Sequence, residues 1–191
     1  YHIKFDPGYF SFNGMNYPYG EYIFMVDNQP VFSNSLKFIS NNLFDISYYS
    51  VAILNLVMMG SLVVSSFFMA LIFTHYKFPW YISIIGAVAI SFLASNVLLW
   101  QYGHYALSYS CFFPIAWYLI IKFQTSDNKI KYSVLIFINT LFWFFIHNYL
   151  GFIILIFTFL AYLFDFIFNT KRFHFSIKKL GYFVLQIIFP A

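Results

Sequence analysis

The chain alternates long apolar runs with short polar gaps. A hydrocarbon core about 30 Å thick needs roughly 20 residues of apolar helix to cross it, and most of these runs approach that length. The pattern predicts an all-α, polytopic membrane protein with about five to six transmembrane helices. The predicted spans are residues 49–74, 79–100, 105–121, 132–146 and 149–168, and a sixth begins near Gly181.

Two features of this pattern are less regular. Pro114 falls inside the third run and predicts a kink there, because proline removes a backbone hydrogen bond. The fourth run, 132–146, is short for a full crossing. Residues 132–168 could instead form a re-entrant pair that enters and leaves on the same side, and the pattern fits both arrangements.

The first 48 residues have a different character. The turn signals of residues 6–8 and 17–20 predict that the first thirty residues are mostly loop. In residues 31–46, apolar side chains recur at roughly helical spacing with Lys37 and other polar residues between them. This predicts an amphipathic helix that lies in the membrane interface. The chain therefore divides into a segment 1–48, with the interfacial helix at about 31–46, and a transmembrane domain 49–191, truncated at both ends.

Positive charge is concentrated in every second gap. The basic gaps contain Lys77, then Lys122, Lys129 and Lys131, then Lys171, Arg172, Lys178 and Lys179. Basic gaps mark the cytoplasmic side of a multi-pass protein. Segment 1–48 and the turns at 101–104 and 147–149 are therefore predicted on the outer side, where the carboxylates and histidines are expected to converge.

Composition supports the membrane assignment. Only 8% of the residues are charged, while 62% are hydrophobic, so the bilayer must serve as the solvent. The net charge is +4, but the basic residues lie beside apolar runs, which indicates membrane anchoring rather than nucleic-acid binding. Cys111 is the single cysteine, which excludes an internal disulfide, and we expect it to be buried. There is no signal-peptide pattern after Tyr1, and the apolar end at 181–191 is about half a span, so we expect a fragment of a larger protein.

Three acids of the outer segment are candidates for chemistry: Asp6, Glu21 and Asp27. A carboxylate at a membrane surface can accept a proton from an attacking hydroxyl, help to hold a divalent cation, or hydrogen-bond sugar hydroxyls. The alternative is that these are ordinary exposed acids of a hydrated loop. Asp27 also fits the cap position of the interfacial helix.

Two predicted outer turns carry further candidates. Tyr102 and His104 lie in one turn, and His147 and Asn148 lie in the next. A histidine at that depth is costly unless it is hydrated or paired, and it can bind a phosphate or a carboxylate. Two such turns at one depth indicate a shared cavity, with these four residues as candidates for substrate or phosphate binding. The alternative is that they are interfacial side chains that prefer the headgroup region.

The sequence has no glycine-rich nucleotide-binding motif and no Walker-type loop. Transfer chemistry at the outer face would therefore have no nucleotide sugar available. It would need a lipid-linked donor that arrives within the membrane.

Several stretches carry a family resemblance. They are Phe12-Asn13-Gly14-Met15-Asn16-Tyr17-Pro18-Tyr19-Gly20-Glu21, continuing to Asp27-Asn28-Gln29-Pro30, then Gly103-His104-Tyr105-Ala106-Leu107 and Ile146-His147-Asn148-Tyr149-Leu150. The first stretch resembles the first outer loop of bacterial GT-C-type membrane proteins, and the other two resemble their histidine-bearing turns. These families include glycosyltransferases that use polyprenyl-phosphate sugars.

The resemblance implies a multi-pass protein of the bacterial inner membrane, active in the cell envelope at the extracytoplasmic face. It implies a polyprenyl-phosphate-linked sugar as donor and a glycan, lipid or protein as acceptor. In GT-C enzymes an outer-loop acid acts as general base or as ligand of a divalent cation. Asp6 matches that acid by position, whereas Asp27 and Glu21 match it by local motif. The Asp-x-Asp or Asp-Glu pair of several members is absent, so the resemblance carries no metal site over.

Two other functions stay open. A transporter or lipid flippase usually has ionisable groups and broken helices near mid-membrane. Here the spans are nearly free of charge, and Asn55, Asn96 and Asn139 are their main polar residues. A non-catalytic membrane assembly subunit of the same fold is the other alternative.

Overall fold

A computed structural model describes residues 2–6, 8–14, 18–23, 29–93, 105–168 and 177–190, with the backbone alone at 177–179. The helices are α1 His2–Phe5, α2 Pro30–Asn42, α3 Ser50–His75, α4 Trp80–Leu93, α5 Phe112–Thr125, α6 Lys129–Ile146, α7 Asn148–Phe168 and α8 Ile177–Phe183. The 3₁₀ turns Ser47–Tyr49 and Tyr105–Leu107 precede α3 and α5, and the π turn Val184–Ile188 continues α8. Strands β1 Ser11–Phe12 and β2 Glu21–Tyr22 form an antiparallel ladder.

Four helical stretches are long and apolar enough to cross a membrane: Ser47–His75, Tyr105–Thr125, Lys129–Ile146 and Asn148–Phe168. They confirm the prediction of a helical membrane protein. α4 has 14 described residues, and the predicted remainder of that span, 94–100, lies outside the described part of the chain. The described residues therefore give four candidate crossings, and the number of five to six stays a prediction.

The fourth predicted span, 132–146, corresponds to α6, which starts earlier than predicted. It begins at Lys129 rather than near residue 132, because the Asn128 side chain caps it by accepting a hydrogen bond from the backbone N–H of Lys131, at 3.1 Å. Its 18 residues rise about 27 Å, close to the hydrocarbon thickness of a bilayer. This length favours a full crossing over the re-entrant pair.

Pro114 does not kink a helix. It lies in the first turn of α5, where its missing N–H would have no intrahelical partner. The interruption of this span comes earlier, at residues 108–111 between the 3₁₀ turn and α5. The side chain of Cys111 at that break is buried, as predicted.

Among the described residues, the core forms two clusters at different levels of the bundle. The first contains Met58, Tyr109, Cys111, Phe112, Ala116, Trp143, Ile146, Leu150 and Ile154, with Val31 and Phe32 of α2 packed on it. The second contains Met69, Ile72, Ala87 and Ile121. The first cluster joins the start of α5 and α7 and the end of α6 to α2, so we call this the cap end. The opposite end carries Lys77, Lys122, Lys129 and Lys131, and we call it the basic end.

α6 and α7 approach closely just beyond their turn. A Cβ atom built on Gly151 would lie 2.3 Å from Cγ of Phe144 and 2.6 Å from both of its Cδ atoms. The Phe144 ring is also held edge-on against Phe152, with centroids 5.0 Å apart. Only glycine therefore fits at position 151 with this ring in place.

We refer to the described residues before Ser50 as the cap. The predicted loop before α2 contains α1 and the β1–β2 ladder, while its other described residues are turns, bends or irregular. α2 begins near the predicted residue but ends at Asn42. Just before α3, the Asp45 carboxylate accepts hydrogen bonds from the Ser40 hydroxyl and the Ser47 backbone N–H, both at 2.9 Å. Hydrogen bonds from Ser47 first, and then from Ser40, lower the pKa of Asp45 to about 2.

Candidate functional site

A buried His–Asp pair lies at the centre of the cap. Nδ1 of His2 is 2.8 Å from Oδ2 of Asp6, and the two residues are one helical turn apart. The backbone N–H of Asn13 donates to the other carboxylate oxygen at 3.1 Å. The Asp6 side chain is only 1% exposed. Asp6 is thus a buried carboxylate with bonded partners on both oxygens, not the exposed loop acid of the alternative interpretation.

The second ring nitrogen of His2 connects this pair to α2. Nε2 lies 3.0 Å from Oδ1 of Asn34. With the side-chain amide oriented in this way, both ring nitrogens face oxygen acceptors. Which ring nitrogen donates depends on the tautomer of His2 and on the orientation of the Asn34 amide.

Lys37 of α2 bonds to the backbone beside this pair. The sequence pattern predicts Lys37 among the polar positions of an interfacial helix, but it is 1% exposed. Its ammonium donates to the carbonyl oxygens of Asp6 and Gly8 and lies 5.4 Å from the centroid of the Tyr9 ring. Burial lowers the pKa of Lys37, and the nearby Asp6 charge opposes that effect. Carbonyl groups that fold back over α2 take the place of water around this ammonium.

An open groove of about 520 Å³ adjoins the network. It is lined by Tyr9, Asn34, Ser35, Phe38 and Ile39. Its volume lies within the range of small-molecule sites, but the groove is wide open at the surface rather than enclosed. Asn34 lines the groove and also bonds to His2, so one side chain separates the groove from the buried pair.

The cap is fastened to the bundle by a second buried bond. The Tyr109 hydroxyl donates to Oε1 of Gln29 at 2.6 Å, and both residues are at most 5% exposed. Phe32 stacks on the Tyr109 ring at 5.6 Å. Gln29 has φ 49°, a left-handed conformation that non-glycine residues adopt at a cost. This bond therefore holds Gln29 in a strained position at the start of α2.

The structure describes two of the three predicted catalytic acids. Asp6 belongs to the buried network, whereas Glu21 lies in β2 opposite Phe12. Asp27 lies outside the described residues. Within the described part of the chain, no group of three His, Cys, Asp or Glu side chains could hold a metal ion.

The predicted phosphate-binding residues are only partly described. His104 and Tyr102 lie outside the described residues. His147 and Asn148 form the turn between α6 and α7 at the cap end, as predicted. Nδ1 of His147 accepts the Tyr149 backbone N–H at 3.2 Å, and the two rings stack at 5.1 Å. The cap and this turn thus lie at the same end of the bundle.

Sequence reasoning missed several polar residues. His2 could have been found from its spacing to Asp6, but its bond to Asn34 spans 32 positions and leaves no local signal. A second network at the basic end was also missed, in which Tyr162, Gln186 and Ser133 are bonded to one another. Asp127 and Asp165 lie at the basic end, in the α5–α6 loop and near the end of α7.

The chain belongs to the DUF6311 family, described as a domain of unknown function, and matches it over residues 4–190. No curated protein matches the chain, and no solved structure matches it either. The family description names no activity, so the chemistry of the cap carries the functional argument.

Proposed function

We propose that the chain is a GT-C-type membrane glycosyltransferase that moves a sugar from a polyprenyl-phosphate donor to an acceptor. In this proposal the cap faces the extracytoplasmic side of a bacterial inner membrane. The observation that carries the proposal is the His2–Asp6 pair, which lies one side chain away from a ligand-sized groove. The resemblance of the amino-terminal segment to GT-C outer loops supports the same activity.

The geometry suggests His2, oriented by Asp6, as the general base. An acceptor hydroxyl in the groove would displace Asn34 and donate its hydrogen bond to Nε2 of neutral His2. The acceptor oxygen then bonds to the anomeric carbon, the bond from that carbon to the phosphate oxygen breaks, and polyprenyl phosphate leaves. The proton passes to His2, and Asp6 stabilises the resulting imidazolium, as a carboxylate does in a Ser-His-Asp triad.

Other predicted residues have roles in the same scheme. Asp27 remains an alternative general base, and Glu21 is a weaker one because it belongs to the β-ladder. His147 and Asn148 at the cap-end turn, together with His104 and Tyr102, would bind the leaving phosphate. A divalent cation would need a ligand outside the described residues, such as Asp27, because no group of three His, Cys, Asp or Glu side chains among the described residues could hold one.

The proposal is tested by sugar transfer from a labelled polyprenyl-phosphate donor, with the full chain in proteoliposomes. If His2 is the base, His2→Gln and Asp6→Asn should each lower the transfer rate per folded molecule at least about tenfold, which is roughly 1.4 kcal/mol in the activation barrier. If Asp27 is the base, Asp27→Asn should lower that rate by the same factor. Asp45→Asn is the matched control, because Asp45 is an exposed acid near the same end. If none of the three variants slows transfer relative to that control, the assignment of the base is wrong.

One observation favours a second candidate, a non-catalytic assembly subunit of the same fold. Both carboxylate oxygens of Asp6 and both ring nitrogens of His2 already have partners within the cap. A purely structural network would have this arrangement. In that case Asp6→Asn would reduce the amount of folded protein and partner binding, and no donor would be consumed by the wild-type chain.

A further inference from the structure

Gln29, at the start of α2, has a backbone conformation that its sequence does not favour. It has φ 49° and ψ 69°, in the left-handed region that a residue with a Cβ atom adopts at a cost. Pro30 follows directly, and the residue before a proline prefers an extended backbone. The conformation of Gln29 is therefore unfavourable for two independent reasons.

The side chain of Gln29 bonds to the bundle rather than to its own helix. Gln29 occupies the N-cap position of α2, where a short polar side chain usually accepts a hydrogen bond from the first turn. Its side chain makes no such bond with the described residues of that turn. Its amide oxygen instead accepts the buried hydrogen bond from the Tyr109 hydroxyl at 2.6 Å. The strained conformation is therefore maintained by a contact with the bundle.

The ring contacts that dock α2 on the bundle lie in its first turn. Phe32 stacks on the Tyr109 ring with centroids 5.6 Å apart, and it meets the Phe142 ring edge-on at 6.5 Å. Val31 packs on the same apolar cluster. Farther along α2, the Phe38 side chain is exposed. Release of the first turn would therefore uncover the Tyr109 ring, which is buried in the docked state.

The cap also has bonds of its own that do not involve the bundle. Asn34 of α2 bonds to His2, and Lys37 of α2 donates to the carbonyl oxygen of Asp6. The chain leaves α2 for α3 through residues 43–46, most of which are exposed. Short loop segments of this kind commonly act as hinges. The cap can thus turn about residues 43–46 while its internal bonds stay intact.

We propose that the cap is a lid on the cap end of the bundle, with the Gln29–Tyr109 hydrogen bond as its latch. When this bond opens, Gln29 relaxes toward the extended backbone that Pro30 favours, and α2 lifts from Tyr109 about residues 43–46. Strained backbone is often retained at switch regions, where it contributes to the choice between two states. The lifted state uncovers the apolar cluster beneath Phe32. This motion does not depend on the proposed transfer reaction.

The test measures the distance between two spin labels on the full chain in nanodiscs, one at Ser35→Cys in the cap and one at Asp127→Cys at the basic end. Both positions are exposed, and Cys111→Ala removes the native thiol. Lifting adds a second, longer distance. Tyr109→Phe should raise the fraction of that distance at least about fivefold over the wild type, because loss of a buried hydrogen bond shifts an equilibrium by this factor or more. A control pair at Lys4→Cys and Ser35→Cys lies within the cap and should keep one distance. An unchanged distance between positions 35 and 127, or a second distance in the control pair, overturns the proposal.

Two variants of Gln29 separate the backbone strain from the hydrogen bond. Gln29→Met and Gln29→Gly both remove the acceptor of the Tyr109 hydroxyl. Methionine keeps the cost of the left-handed conformation, whereas glycine adopts a positive φ readily. The lifted fraction of Gln29→Met should therefore exceed that of Gln29→Gly at least about fivefold. Equal fractions, or a larger fraction with glycine, show that Gln29 stores no strain and overturn the latch. If Tyr109→Phe does not fold, the comparison of these two variants decides.

Discussion

The contact between Gly151 and Phe144 gives a quantitative prediction. An alanine Cβ at position 151 would lie 2.3–2.6 Å from three ring atoms of Phe144, well inside the 3.0 Å that real Cβ contacts essentially never cross. The ring would have to move by about 1 Å, or α6 and α7 would have to separate. Overpacking of this kind typically costs about 1–3 kcal/mol. We therefore expect Gly151→Ala to destabilise the α6–α7 pair.

The chain offers a matched control for this substitution. Gly60 lies within α3, and a Cβ atom built on it meets no atom within 4 Å. Gly60→Ala should be neutral or stabilising by up to about 1 kcal/mol, because alanine favours helix more than glycine does. Both substitutions replace glycine by alanine within a helix, so both gain helix propensity. The difference between the two variants therefore isolates the steric cost at position 151, about 1–3 kcal/mol.

The measurement is reversible unfolding of the full chain in mixed micelles, with both variants and the double variant Gly151→Ala/Phe144→Leu. A smaller side chain at position 144 should recover at least half of the loss. If Gly151→Ala and Gly60→Ala differ by less than about 0.5 kcal/mol, the ordinary range of neutral substitutions, the close approach of α6 and α7 is refuted.

Three further predictions concern the cap. Tyr109→Phe leaves the buried Oε1 of Gln29 without its donor and should cost about 1–3 kcal/mol in the free energy of unfolding, with loss of cap protection in hydrogen exchange. The pKa of Lys37 in the folded chain lies below its ordinary value of 10.5. Between these two pKa values the unfolded chain binds more protons than the folded chain does, so the free energy of unfolding rises with pH in that range. A Lys37→Met variant should lack that rise in unfolding curves. The Asp45 carboxyl should titrate near pH 2 by carbon NMR and shift upward in Ser40→Ala. Because its folded pKa is lowered, its stabilising contribution is present above the ordinary value of 3.8 and is lost as the pH falls through 2.

The sequence predicts the long helices well because a bilayer imposes a simple length and polarity rule. α3 differs from its predicted span by one residue at each end. The start of α6 was misplaced because its first turn contains two lysines, which look like loop residues. Lys129 is satisfied there by the carbonyl oxygens at the end of α5, and a window of hydropathy cannot detect that contact.

The candidate site was less predictable. The turn at His147 and Asn148 could be located, since it lies between two apolar runs. The His2–Asp6 pair has the helical spacing i, i+4, but its partner Asn34 and the covering ammonium of Lys37 are more than 25 residues away. Helical periodicity placed Lys37 among polar positions, whereas tertiary contacts with Asp6 and Gly8 bury it. Long-range pairing of this kind cannot be derived from local pattern.

The enclosure of Lys37 makes it a natural reporter of cap folding. Amine-acylating reagents need an accessible, unprotonated nitrogen, so Lys4, which is exposed, should react while Lys37 remains unmodified. Acylation at position 37 would then mark those molecules whose amino-terminal segment has opened, even when the transmembrane helices are intact. Mass spectrometry of the two lysines could in this way follow the assembly of one part of the protein separately from the other.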